Sequence, residues 1–119
     1  MRREGYMTPA QQRALDELWP RYGVELGDGP LDTGVIFGRR APLTLEIGFG
    51  NGEALAALAA TNLQHDYLGV EVHRPGVGHL LRGLLAQNLG NVRVVCADAN
   101  DVLTRLPDDS LTAVFLFFP

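Results

Sequence analysis

Hydrophobic positions are scattered up to about residue 42 and strongly patterned beyond it. Residues 1–7 read as a mobile arm. Ala14, Leu15, Leu18 and Trp19 then fall at helical spacing. Thr8-Pro9-Ala10-Gln11 supplies that helix with a start: a capping hydroxyl, a proline suited to the first helical position and a glutamine that completes a capping box. Pro20 is expected to end or kink it. Residues 23–42 hold five glycines and two prolines, which predicts a linker or loop with a short strand at Val35-Ile36-Phe37.

From Leu43 the pattern becomes regular. Short apolar runs at 43–47, 67–72, 91–96 and 111–118 predict strands. Between them, 53–61, 75–89 and 100–106 predict helices, the second with Val77, Leu80, Leu81, Leu84 and Leu85 on one face. Residues 48–52 and 107–110 read as turns. Strands that alternate with helices imply right-handed crossovers and a parallel α/β sheet.

Composition bounds this picture. At 119 residues with 46% hydrophobic and 20% charged residues, the chain has ordinary globular usage and the size of one domain. No apolar run reaches the roughly 18 residues of a membrane span, and Met1-Arg2-Arg3-Glu4-Gly5 is not followed by the apolar segment of a signal peptide. A single cysteine, Cys96, excludes an internal disulfide framework and a cysteine-based zinc cluster. A cytoplasmic chain is expected. The net charge of −4 argues against a dedicated nucleic-acid binder. Residues 1–40 balance six arginines against six acids, whereas 41–119 set four arginines against eight acids. A nucleic acid would have to be gripped by the N-terminal arginines or by something outside this sequence.

The candidate chemistry lies at the ends of the strands. Glu46-Ile47-Gly48-Phe49-Gly50-Asn51-Gly52 sits between a strand and a helix, the corner where open parallel sheets bind ligands. Dinucleotide sites use G-x-G-x-x-G. Here the spacing is G-x-G-x-G with an acid two residues ahead, which suits a positively charged ligand better than a pyrophosphate. The alternative is a glycine-rich turn with no ligand. Glu71, at the end of the second strand, can accept from ribose hydroxyls or stand as a solvated acid. Asp98, after the third strand, can accept from an adenine amino group or cap the helix that follows. Parallel strands bring the three acids to one sheet edge. Cys96 reads as a small buried strand residue, His73 as a turn residue before Pro75, His65 and His79 as surface residues and Trp19 as a packing anchor. No metal-ligand spacing occurs.

Three blocks carry a resemblance to a known family: 45–52 with its glycines, Leu68-Gly69-Val70-Glu71-Val72-His73-Arg74-Pro75-Gly76-Val77, and 91–99 through Cys96-Ala97-Asp98-Ala99. Together with Arg3-Glu4-Gly5 and Met7-Thr8-Pro9-Ala10-Gln11, they resemble the bacterial tRNA (guanine-N7)-methyltransferases over nearly the whole chain. The resemblance implies a Rossmann-like class I methyltransferase sheet of strand order 3-2-1-4. It would be carried by residues 41–119, with 1–40 as N-terminal arm, helix and linker. It also implies S-adenosylmethionine as methyl donor, held by Glu46, Glu71 and Asp98 with Gly48, Gly50 and Ala99, and tRNA as substrate at a variable-loop guanine. Two positions depart from the family. Tyr6 stands where it usually has arginine, and Phe117-Phe118-Pro119 resembles the start of its Phe-Pro-Asp-Pro-Trp motif without the aspartate. The resemblance therefore covers an N-terminal half. It assigns no catalytic residue here, and leaves the 111–118 strand as an exposed edge prone to association. Two other readings stay open: an NAD-binding oxidoreductase domain and a non-catalytic cofactor-binding fragment.

Overall fold

The structure, a computed structural model, describes residues 7–116. Its elements in chain order are α1 (Pro9–Tyr22), α2 (Thr33–Phe37), β1 (Leu43–Ile47), α3 (Glu53–Thr61), β2 (Asp66–Val70), α4 (Arg74–Ala86), β3 (Val92–Val95), α5 (Ala99–Leu103) and β4 (Ala113–Leu116). All strand pairs are parallel, in the order β3-β2-β1-β4. This is the expected α/β sheet, and its topology decides which face each helix covers. The chain steps one way from β1 to β2 to β3, so right-handed crossovers put α3 and α4 on one face. It then jumps back past β1 to reach β4, and the same handedness puts α5 on the other.

The two faces have separate cores. Leu55, Ala56 and Ala59 of α3 and Val77, Leu80, Leu81 and Leu84 of α4 pack with Tyr22, Phe49, Tyr67, Val92 and Val94. On the other face Leu31, Leu43, Leu45, Leu68, Val70, Val95 and Val102 pack together, joined by Ile36 and Phe37. Every β1 residue but the last is buried, as a central strand requires. Arg39 fixes the start of β2. Its Nε and Nη2 donate to Asp66 Oδ1 at 3.0 and 2.7 Å, and Nη2 also donates to the Leu63 carbonyl.

Several elements differ from the sequence expectation. The arm at 1–7 falls almost wholly outside the described residues. The capping box at Thr8 is present, with reciprocal bonds to Gln11 of 2.9 and 3.1 Å. Pro20, however, lies inside α1, which continues to Tyr22. A proline in a helix interior costs about 3 kcal/mol. Burying a large side chain returns about 1.5–3 kcal/mol, and Tyr22 is fully buried while Leu15, Leu18 and Trp19 pack against the same core. Residues 35–37 form helix, not strand. Asp32 accepts the Val35 N–H at 3.1 Å and Gly38 closes the turn in the left-handed region, so caps at both ends outweigh the β preference of Val35 and Ile36. The helix expected to run to Leu89 stops at Ala86 because Asn88 takes φ 53 and Leu89 N–H returns to Leu84 O. Cys96 is exposed, since β3 ends at Val95 and the chain leaves the sheet there. The fourth strand is described as Ala113–Leu116; Phe117 and Phe118 lie outside the described residues.

The 23–42 segment is tied to the sheet. Gly23 bridges Val94 on the outer edge of β3, and Val24 N–H donates to Val94 O at 2.8 Å. Leu31 N–H reaches Arg105 O, and Arg105 Nε reaches Gly27 O, each at 2.7 Å.

Candidate cofactor site

A parallel sheet whose strand order reverses leaves a crevice beyond the carboxyl ends of the strands at the reversal, here between β1 and β4. The segment that leaves β1 at that point is the glycine loop. Gly48, Gly50 and Gly52 have φ of 73°, 66° and 80°, the left-handed region that side chains disfavour. Three such residues in alternation curl the chain back on itself, with Gly52 N–H returning to Phe49 O at 3.0 Å. A Cβ at Gly50 would stand in open space, so its bare backbone faces outward.

Glu71 follows directly after β2, and both of its carboxylate oxygens accept from backbone. Oε1 accepts the Gly50 N–H at 2.7 Å; Oε2 accepts the Val72 and His73 N–H groups at 3.0 and 3.1 Å. The residue therefore joins the β2–α4 turn to the glycine loop, a link that required the β1–β2 register and could not be read from spacing. His73 is the N-cap of α4, in agreement with a turn role.

Glu46 sits on β1 opposite Gly69 of β2 and Phe115 of β4, on the face covered by α3 and α4. It is only 2% exposed, and its Oε2 has no hydrogen-bond partner among the described residues. Burial raises its pKa above the ordinary glutamate value. Tyr67 is raised too, chiefly by burial, with the Glu46 charge contributing. Buried carboxylate oxygens ordinarily have a hydrogen-bond donor, so the unpartnered Oε2, on a residue two positions ahead of the glycine loop, stands out.

Asp98 acts first as a helix cap. Its Oδ1 accepts the Asn100 N–H at 2.8 Å, and Ala99 opens α5. The structure thus joins Glu71 to the loop directly, and sets Glu46 on β1 and Asp98 three residues beyond the end of β3, the two strands that flank β2. Clefts of about 270 and 350 Å³ flank this edge. One lies between α3 and α4 beside Asn51 and Gly52; the other lies between α1 and the head of α4, beside Trp19, Arg74 and Cys96. Neither is lined by the three acids. Among the described residues no His/Cys/Asp/Glu cluster could hold a metal ion.

Comparison with known proteins gives this geometry a family. A family described as "Putative methyltransferase" matches residues 40–119, which includes the whole sheet. The chain belongs to this methyltransferase family. Over its full length it is 57% identical to a tRNA (guanine-N(7)-)-methyltransferase of Nitrosococcus oceani and 60% identical to one of Alkalilimnicola ehrlichii. This methyltransferase chain covers 51% and 52% of those two proteins, so it spans about half the length of the curated relatives it matches. Among solved structures it is similar to an antibiotic-related methyltransferase (TM-score 0.61, 21% identity, 81% of this chain and 48% of the other). It is also similar to a 30S ribosomal A1408 methyltransferase from an uncultured bacterium (TM-score 0.59, 15% identity, 82% and 48%). Those two likenesses concern the fold. The methyltransferase family and the G-x-G-x-G spacing together disfavour the NAD-binding reading.

Proposed function

We propose that these residues form the donor-binding half of an enzyme that methylates guanine N7 in the variable loop of tRNA, with S-adenosylmethionine as donor. The observation that supports this most directly is the match over the whole of this chain, at 57–60% identity, to relatives that carry the name tRNA (guanine-N(7)-)-methyltransferase. The local chemistry fits the donor. The unpartnered Oε2 of Glu46 offers an acceptor to its ammonium or sulfonium charge. Gly48 and Gly50 let it approach the backbone without a side chain in the way. Glu71 accepts from the ribose. Asp98, with one oxygen on its own cap, accepts from the adenine amino group, and the Ala99 N–H donates to the ring.

When bound, the donor supplies a methyl group already activated by its sulfonium. Guanine N7 carries a free lone pair, so no residue has to remove a proton from the nucleophile. The chain's task is then to orient and to stabilise charge. This accounts for a site built from carboxylates and glycines. No helix among the described residues is long and apolar enough to cross a membrane, and a tRNA substrate fits the cytoplasm.

Titration calorimetry with S-adenosylmethionine and with NAD tests the donor half of this reading: only the former is expected to bind. The substrate half is tested by giving labelled donor and tRNA to a version extended to the relatives' length. Label at a guanine N7 of the variable loop is the expected result. Binding of NAD alone, or label at another base, would sink the proposal.

A further inference from the structure

The three left-handed glycines do not by themselves fix where the loop sits. Helix α4 does. Gly76 and Leu80 lie four residues apart on α4 and therefore on one face of it. Each meets an alternate glycine of the loop. The carbonyl of Gly50 approaches Gly76 so closely that a Cβ at position 76 would overlap the oxygen, and a Cβ at Gly52 would lie 2.6–2.9 Å from Leu80 side-chain atoms. From the other side, the Gly50 N–H is held by Glu71 Oε1 at 2.7 Å. The backbone of Gly50 is thus met at both its N–H and its C=O by one short segment, 71–76: a hydrogen bond to Glu71 on one side and close packing by Gly76 on the other. The helical end of that segment is anchored in the core. Pro75, Gly76, Val77, Gly78, Leu80 and Leu81 are all buried, and α4 packs on α3, on α1 and on the sheet. Interiors packed to this density transmit a displacement instead of absorbing it.

We propose that Gly76 is a positioning residue for the methyl-donor loop: through its contact with the Gly50 carbonyl, and with Glu71 on the Gly50 N–H, the first turn of α4 sets the loop in its donor-binding shape. This deepens the functional reading above and rests on it for the identity of the donor. The grip itself is a property of the ligand-free chain. A side chain at 76 pushes the Gly50 oxygen away, stretches the Glu71 bond and turns the bare backbone from the position the donor needs.

Gly83 provides the control. It lies on the same helix, and a Cβ there would meet nothing within 4 Å. Gly76→Ala and Gly83→Ala thus make the same chemical change in the same helix, and only one of them touches the loop. Two quantities are to be measured in each: hydrogen exchange of the Gly50 amide without ligand, and the Kd for S-adenosylmethionine by calorimetry. In Gly76→Ala the Gly50 amide is expected to exchange at least tenfold faster and the Kd to rise at least tenfold, while amides of β1 and β2 keep their protection. Gly83→Ala is expected to leave both unchanged. If Gly76→Ala does not fold, Glu71→Gln is the second variant. It keeps the size of the side chain, weakens the acceptor for Gly50 and is expected to speed Gly50 exchange more than Gly52 exchange. An unchanged Gly50 amide in Gly76→Ala, or in Glu71→Gln if only that variant folds, overturns the proposal. So does a raised Kd with Gly50 undisturbed. If the parent chain fails to bind the donor, the donor reading falls on its own. Faster Gly50 exchange in Gly76→Ala would then still show the grip.

Discussion

Glu46 holds a carboxyl group at 2% exposure with one oxygen unpartnered, and its raised pKa has a definite consequence for stability. The native state keeps this proton to higher pH than the unfolded chain does. Between the ordinary value of 4.5 and the raised one, the native state therefore binds more protons, and stability falls as pH rises. The favourable contribution is complete below the ordinary value and lost through the native one. Glu46→Gln removes the titration. In urea unfolding across a pH series, the variant should gain on the parent as pH increases through that window; a gap independent of pH would show that Glu46 does not titrate differently on folding. At Glu71 the expectation concerns the ligand. Removing a charged acceptor costs about 1.5–3 kcal/mol, so Glu71→Ala should weaken S-adenosylmethionine binding by roughly 10- to 150-fold in calorimetry. An unchanged Kd would take Glu71 out of the site. The spacing of glycines and acids was enough to single out both residues. Their local chemistry was not legible, because the burial of Glu46 and the three N–H groups on Glu71 arise from strand register and from the approach of α4.

Strands were the easiest elements to read, because β1 to β3 are buried and their apolar runs are bounded by glycine or polar residues. The short α2 helix, by contrast, is not legible in the sequence. Its five residues hold no periodicity, and what decides them is the Asp32 cap and the left-handed Gly38. Asn91 carries no sequence signal, yet it ties the start of β3 to the end of α3 and to the turn before β2. It is buried, and its Nδ2 reaches the carbonyls of Ala59, Asn62 and His65 at 3.0–3.1 Å. Asn91→Ala would leave these acceptors without their donor and is expected to lower stability by about 2–3 kcal/mol in chemical denaturation. Strand β4 differs from the others. Among the described strands it pairs with β1 alone, and Val114, Phe115 and Leu116 are 46%, 47% and 57% exposed. An apolar edge of this kind is a template for another chain. Light scattering across a concentration series is expected to show association of the 119-residue chain, reduced by Leu116→Lys. A stable monomer at high concentration would mean that the edge is covered.

At the scale of the whole molecule, the chain has half the length of its curated relatives and a net charge of −4. Phosphate contacts dominate nucleic-acid affinity, so these residues alone are expected to transfer no measurable methyl group to tRNA. Turnover above the enzyme-free control would show that the other half is dispensable. The strand order carries a consequence of a different kind, for the timing of folding. Leu43 and Asp66, and likewise Tyr67 and Val92, pair across 23 and 25 positions, whereas Thr44 and Ala113 pair across 69. At a synthesis rate of roughly 5–20 residues per second, β1 waits several seconds on the ribosome after meeting β2 before β4 exists. Its second edge is open throughout that interval, and the loop it must close is the longest in the sheet. Among the described strands, the crevice between β1 and β4 is thus the last to be completed: a nascent chain shapes its glycine loop well before the strand opposite arrives.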